Sequence, residues 1–112
     1  MTVTDKRGQV IGLAAGVDYA NDAVISKTLL DKKAGTLTLF SFDQGQGLSE
    51  HVSPYDATVI VTDGEATLII GGKPQKVQAG EMVIMPANVP HAVQAEKRFK
   101  MLLVMIREEV KA

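Results

Sequence analysis

Cysteine is absent from this chain of 112 residues. That excludes disulfides, thiolate nucleophiles and any iron–sulfur or zinc centre held by sulfur anions. Tryptophan is absent too, and three Phe and two Tyr are all the aromatics. A core must therefore come from aliphatic side chains, which supply most of the 46% hydrophobic content. No run approaches the roughly 18 apolar residues that a membrane-spanning helix needs. An excess of either charge is also missing: 12 Lys and Arg against 13 Asp and Glu leave a formal charge of −1. Without a basic stripe there is no electrostatic footprint for nucleic acid or for an anionic membrane surface. The first ten residues carry charge but neither an apolar stretch nor a small-residue cleavage site, so they do not read as a secretory signal. The expectation from these absences is a soluble cytoplasmic domain that meets small molecules or protein.

The length suits one domain, which should bury roughly two-thirds of the surface of its unfolded chain. Residues 1–20 read as an N-terminal arm, polar over 1–8 and apolar over 10–16 (VIGLAAG). One short helical turn fits there, and Gly12 and Gly16 argue against a longer helix. Residues 21–112 read as a β domain. The clearest signature is TLTLFSF at 36–42, where Leu37, Leu39 and Ser41 share one face and Thr38, Phe40 and Phe42 the other, a period of two. Further extended segments are predicted at 23–30, 48–53, 58–62, 65–70, 73–77, 81–85, 91–94 and 99–106. Asp63-Gly64 and Gly71-Gly72 punctuate them as tight turns. About nine short strands with turns every six to ten residues predict an all-β sandwich or barrel.

Two segments say more than fold class. The first runs GLSEHVSPYDA from Gly47 to Ala57 and continues to Asp63-Gly64-Glu65; the second runs GEMVIMPANVPH from Gly80 to His91. Together they resemble the two motifs of the cupin superfamily, in its small single-domain conserved-barrel branch. The resemblance implies a double-stranded β-helix, or jelly-roll, barrel behind a short helical or irregular N-terminal segment. Gly80, Pro86 and His91 stand at the family's spacings in the second motif. Asn88 replaces the usual Gly, and Asn is among the few other residues that tolerate positive φ. The first motif departs from the pattern. The resemblance places a second His where Ser53 stands and a carboxylate where Ala57 stands, so two of the family's four usual metal ligands are missing.

A cupin barrel would bring His51 and His91 together although 40 positions separate them. Two neutral imidazoles on strands suit a divalent transition metal (Zn, Ni, Fe, Mn or Cu), held weakly because a catalytic site normally uses three protein ligands or more. Ser53, Tyr55, Asp56, Gln44 and Gln46 are the groups available to join them. Asp56 is one position short of the carboxylate slot, which in a regular strand turns it to the opposite face. The expected ligand pocket is lined by Ser53, Tyr55, Val59, Val61, Met85 and Val93, mostly apolar with few polar groups. Met82, Met85, Met101 and Met105 read as adaptable core filler rather than as a soft-metal set. No nucleophilic triad is credible, because Ser53 lacks a positioned carboxylate. Three functions remain open on these residues: a small-molecule-binding cupin, a metal-dependent oxygenase or isomerase, and a structural or interaction module. A homodimer is expected, with residues 23–30 and 10–16 as the segments apolar enough to form its seam.

Overall fold

The computed structural model describes residues 5–107; the outermost parts of the predicted arm and barrel segments, 1–4 and 108–112, lie outside the described residues. Nine strands follow one another in chain order. They are β1 (Val24–Lys32), β2 (Gly35–Phe42), β3 (Gly47–His51), β4 (Asp56–Asp63), β5 (Glu65–Ile70), β6 (Lys73–Gln78), β7 (Met82–Met85), β8 (His91–Gln94) and β9 (Phe99–Ile106). Each coincides with a segment predicted from alternation and turn residues. Among the described residues there is no helix. The apolar stretch at 10–16 forms a single turn closed by the Gly16 N–H donating to the Gly12 carbonyl at 2.8 Å.

The strands form two antiparallel sheets, ordered β1-β2-β9-β4-β7 and β3-β8-β5-β6. Their inner faces meet in one core built from Phe42, Val59, Val61, Leu68, Val93, Phe99 and Met101, all almost fully buried. Phe42 and Phe99 are direct cross-strand partners on β2 and β9. Their rings stack at 4.6 Å between centroids and 12° between planes, so the two largest core side chains tie neighbouring strands together.

Both faces of β2 are buried, which a half-exposed strand would not show. Leu39 and Ser41, on the face opposite Phe42, are each 0% exposed. Their cover is the N-terminal arm. Val17 is buried, and the Ser41 hydroxyl donates to the Asp18 carbonyl at 2.7 Å. A Cβ on Gly16 would meet the Gly12 carbonyl oxygen at 2.6 Å and Leu39 Cδ1 at 2.8 Å, so only glycine lets the arm lie this close. Tyr19 clamps the arm's end: its hydroxyl donates to Asp63 at 2.6 Å, while Arg98 and Lys100 lie 4.6 Å and 4.8 Å from its ring centroid. Desolvation, then the bond to Asp63, pushes the phenol above its ordinary pKa.

Beyond the arm, the outer face of the five-stranded sheet is bare and apolar. Ile60 pairs with Met82 on one side and Leu102 on the other, and Thr58 with Ile84 and Val104. Met82 and Ile84 are more than half exposed, so Met82 is not the core filler that its neighbours in sequence suggested. Of the segments expected at a dimer seam, β1 is the free edge of this sheet, and Val10 and Leu13 point away from the chain's own core.

Candidate functional site

His51 is the last residue of β3, and His91 the first of β8. The two strands are neighbours, and their register holds a single irregularity. Gly47 pairs with Gln94 and Leu48 with Val93, but His51 pairs with His91. Three steps along β3 therefore match two along β8. Regular pairing from Leu48 would put Glu50 opposite His91 and turn His51 to the other face. The extra residue is a β-bulge, a device that re-aims a side chain. It brings the two imidazoles to 4.3 Å between centroids, edge to face at 71°. His91 shares its strand face with Val93 and Ala95, both core residues, so the pair faces the space between the sheets at one end of the barrel.

Each ring is held by its own strand end. His51 Nδ1 lies 2.8 Å from the Ser49 carbonyl oxygen and His91 Nδ1 3.2 Å from that of Val89. A carbonyl only accepts, so in both rings the proton belongs on Nδ1, and Nε2 keeps its lone pair. This is the tautomer a metal or a hydrogen-bond donor requires. His91 is only 4% exposed while His51 is exposed. Burial lowers the His91 pKa from its ordinary value; the Val89 carbonyl opposes that shift, and the charge of a protonated His51 adds to it. The inner ring is thus kept neutral.

The loop 86–90 that delivers His91 is bolted to the segment following His51. The Asn88 N–H donates to the Ser53 carbonyl at 2.8 Å, and the Ala87 N–H to Asp56 Oδ1 at 2.9 Å. Asn88 has φ 66°, a left-handed conformation that Asn tolerates better than most residues other than glycine. Asp56 spends its carboxylate on this loop and is exposed, on the strand face opposite Ala57. The Ser53 hydroxyl is buried and accepts the Tyr55 N–H at 3.1 Å, while Tyr55 is half-buried beside it. Gln46 immediately precedes β3, about 16 Å along the strand from His51 at 3.3 Å per residue, and Gln44 lies two residues further back. Val59, Val61, Met85 and Val93 all belong to the core cluster, each 2% exposed or less, and Val93 also lines a cavity beside β3 with Leu48 and Gln94.

The cupin domain family profile matches residues 38–106, well over half of the chain. The chain belongs to the cupin family. A conserved protein of unknown function from Streptococcus pyogenes is 34% identical, covers 98% of each chain and superposes with a TM-score of 0.88. A cupin 2 conserved barrel domain protein from Leptotrichia buccalis is 43% identical over 84% of this chain, with a TM-score of 0.82; the chain spans 46% of that protein. A cupin superfamily protein from Desulfitobacterium hafniense, 24% identical with a TM-score of 0.85 over 93% of this chain and 95% of its own, shares the fold. Among curated proteins none matches the sequence.

Cupins often hold a metal between the sheets, and this cupin's residues do not fit the family's four-ligand set. Two imidazoles are present. The carboxylate position is Ala57, 2% exposed, and the second His position is Ser53, already bonded to Tyr55. Among the described residues no cluster of three or more His, Asp or Glu side chains is placed to hold an ion.

Proposed function

We propose that this cupin is a binding protein for a small ligand at the barrel mouth, not a catalyst that depends on a divalent metal. Its site is the pair of acceptor nitrogens on His51 and His91. The observation that carries the reading is the bulge-set pairing of the two rings, each tied through Nδ1 to a backbone carbonyl. Side chains held in this way are pre-organised for binding, because little rotamer freedom is left to lose. The same donor set argues against metal-dependent catalysis, which typically needs three protein ligands and an open position. With two imidazoles, a divalent ion is held weakly.

Titration of the purified chain with Zn(II), followed by calorimetry, tests this. The expected result is a single site with a dissociation constant above about 10 μM, a free energy weaker than roughly 7 kcal/mol, lost in both His51→Ala and His91→Ala. Nanomolar Zn(II) binding would contradict the reading. So would binding that survives both substitutions.

A further inference from the structure

The two sheets treat their outer faces differently. On the four-stranded sheet the outward positions include Glu65, Thr67, Lys76, Gln78 and Gln94, set opposite one another in register. Lys76 there donates to the Thr67 hydroxyl at 2.8 Å and pairs with Glu96 at 2.7 Å. That is a face made for water. The five-stranded sheet instead carries a cross-strand row that reads Leu30, Leu37, Val104, Thr58, Ile84 from β1 to β7, without a charge. The next row reads Lys27, Leu39, Leu102, Ile60, Met82. Its one cation is turned to the arm, where Lys27 Nζ donates to the Gly16 carbonyl at 2.9 Å. Charge on this face of β4 and β9 is confined to the ends, at Asp56, Asp63 and Lys100.

We propose that this face docks a second copy of the chain, sheet on sheet, in a two-fold dimer. The proposal stands apart from the histidine site. Five strands about 4.8 Å apart and eight residues at about 3.3 Å each make a face of roughly 24 by 26 Å, or about 600 Å² in projection. Burying it on both copies removes about 1,200 Å², the lower bound for a stable specific interface. Single chains rarely leave so large an apolar patch in water. The arm lies over part of the face, at Leu39 and Ser41, and brings its own exposed Val10 and Leu13 to the edge. A two-fold interface sets one patch against itself, which an uncharged row allows without bringing like charges together. The ends of the face mix both signs, so they select neither an acidic nor a basic partner. Aligned sheets pack about 10 Å apart with interdigitated side chains, the same packing that fills the barrel. The middle of this seam is β9, the central strand of the sheet. The segments 10–16 and 23–30 that the sequence favoured lie at its border.

Sedimentation equilibrium of the full chain tests this. A dimer is expected, with a dissociation constant of about 1 μM or tighter. Ile84→Glu and Ile106→Lys should each weaken it about 100-fold or more, because each places an unpaired charge in the seam. Ile84 and Ile106 are 57% and 58% exposed in the single chain, so both variants should fold, and circular dichroism confirms it. Val52→Glu changes an equally exposed side chain (58%) on the crossing between β3 and β4, away from the face, and should leave the dimer intact. A parent chain that stays monomeric at millimolar concentration overturns the proposal and leaves the face to a different partner. A dimer that both face variants keep, or that Val52→Glu alone breaks, overturns it too, since the seam then lies elsewhere.

Discussion

Replacing Phe99 with Ala is expected to remove about 3–5 kcal/mol of folding stability. Phe99 is 0% exposed, and its loss would leave a ring-sized void between the sheets. Part of the cost is the lost transfer of the ring from water, and part is a cavity that the surrounding strands cannot close. The stack on Phe42 at 4.6 Å contributes a further share, of order 0.5–1.5 kcal/mol for aromatic pairs beyond burial alone. Few alternatives exist in a chain with three Phe and no Trp. Small domains are stable by roughly 5–15 kcal/mol, so this single change should take about a fifth of the total or more. Urea unfolding measures it as a drop in the midpoint at constant slope. Met82→Ala is the control: that side chain is 55% exposed, and its removal should cost no more than about 0.5 kcal/mol. A Phe99→Ala loss below 1 kcal/mol would mean that the two aromatic strands are not the centre of the core.

Restoring the family's ligands should have an equally large effect of opposite sign. In the double variant Ser53→His, Ala57→Glu, four side chains stand at the four family positions. Without metal the variant should be less stable than the parent. A carboxylate at a position 2% exposed is buried with no partner, a cost of several kcal/mol, and the Tyr55 N–H loses the hydroxyl that accepts it. With Zn(II) the carboxylate and three imidazoles make a complete set, and affinity should rise at least 1,000-fold over the parent. Ligand at 1,000 times its dissociation constant stabilises a fold by about 4.1 kcal/mol. The melting temperature of the variant should therefore depend steeply on Zn(II), while that of the parent barely moves. A variant whose melting is indifferent to Zn(II) would show that Ala57 does not face the imidazole pair.

Much of the fold was legible because strands leave a period of two. TLTLFSF from Thr36 to Phe42 showed β2 directly, and Asp63-Gly64 marked the turn between β4 and β5, where Gly64 takes φ 75°. Asn88 was readable as a residue standing in for glycine, and it does adopt positive φ. What alternation could not show was the second cover on β2. Leu39 and Ser41 look like the solvent side of a strand, and they are buried only because an irregular arm some 20 residues earlier lies over them. Such a contact is non-local and leaves no periodic trace. The site was legible as two histidines at family positions, but not in its mechanism of assembly. Counting along β3 as a regular strand puts Glu50, not His51, opposite His91, and nothing in Leu48-Ser49-Glu50-His51 announces the extra residue. The methionines at 85 and 105 lie 20 positions apart, Met85 expected as core filler and pocket lining and Met105 as core filler. Only the register of β4 against β7 and β9 shows them flanking Ala57.

The account depends most on both imidazoles presenting Nε2 from rings that touch. Long-range ¹H–¹⁵N correlation of the histidine side chains, followed through a pH titration, tests that directly. Near pH 8 both rings are expected as the Nδ1–H tautomer, with cross-relaxation between their ring protons. As pH falls, His91 should resist protonation to below the ordinary value of 6.5. An unfolded chain would take up that proton first, so the fold should also lose stability as the pH drops from about 6.5 through the lower native value, and not above it. Nε2–H tautomers, rings without mutual contact, or a His91 that titrates at or above 6.5 would contradict the account.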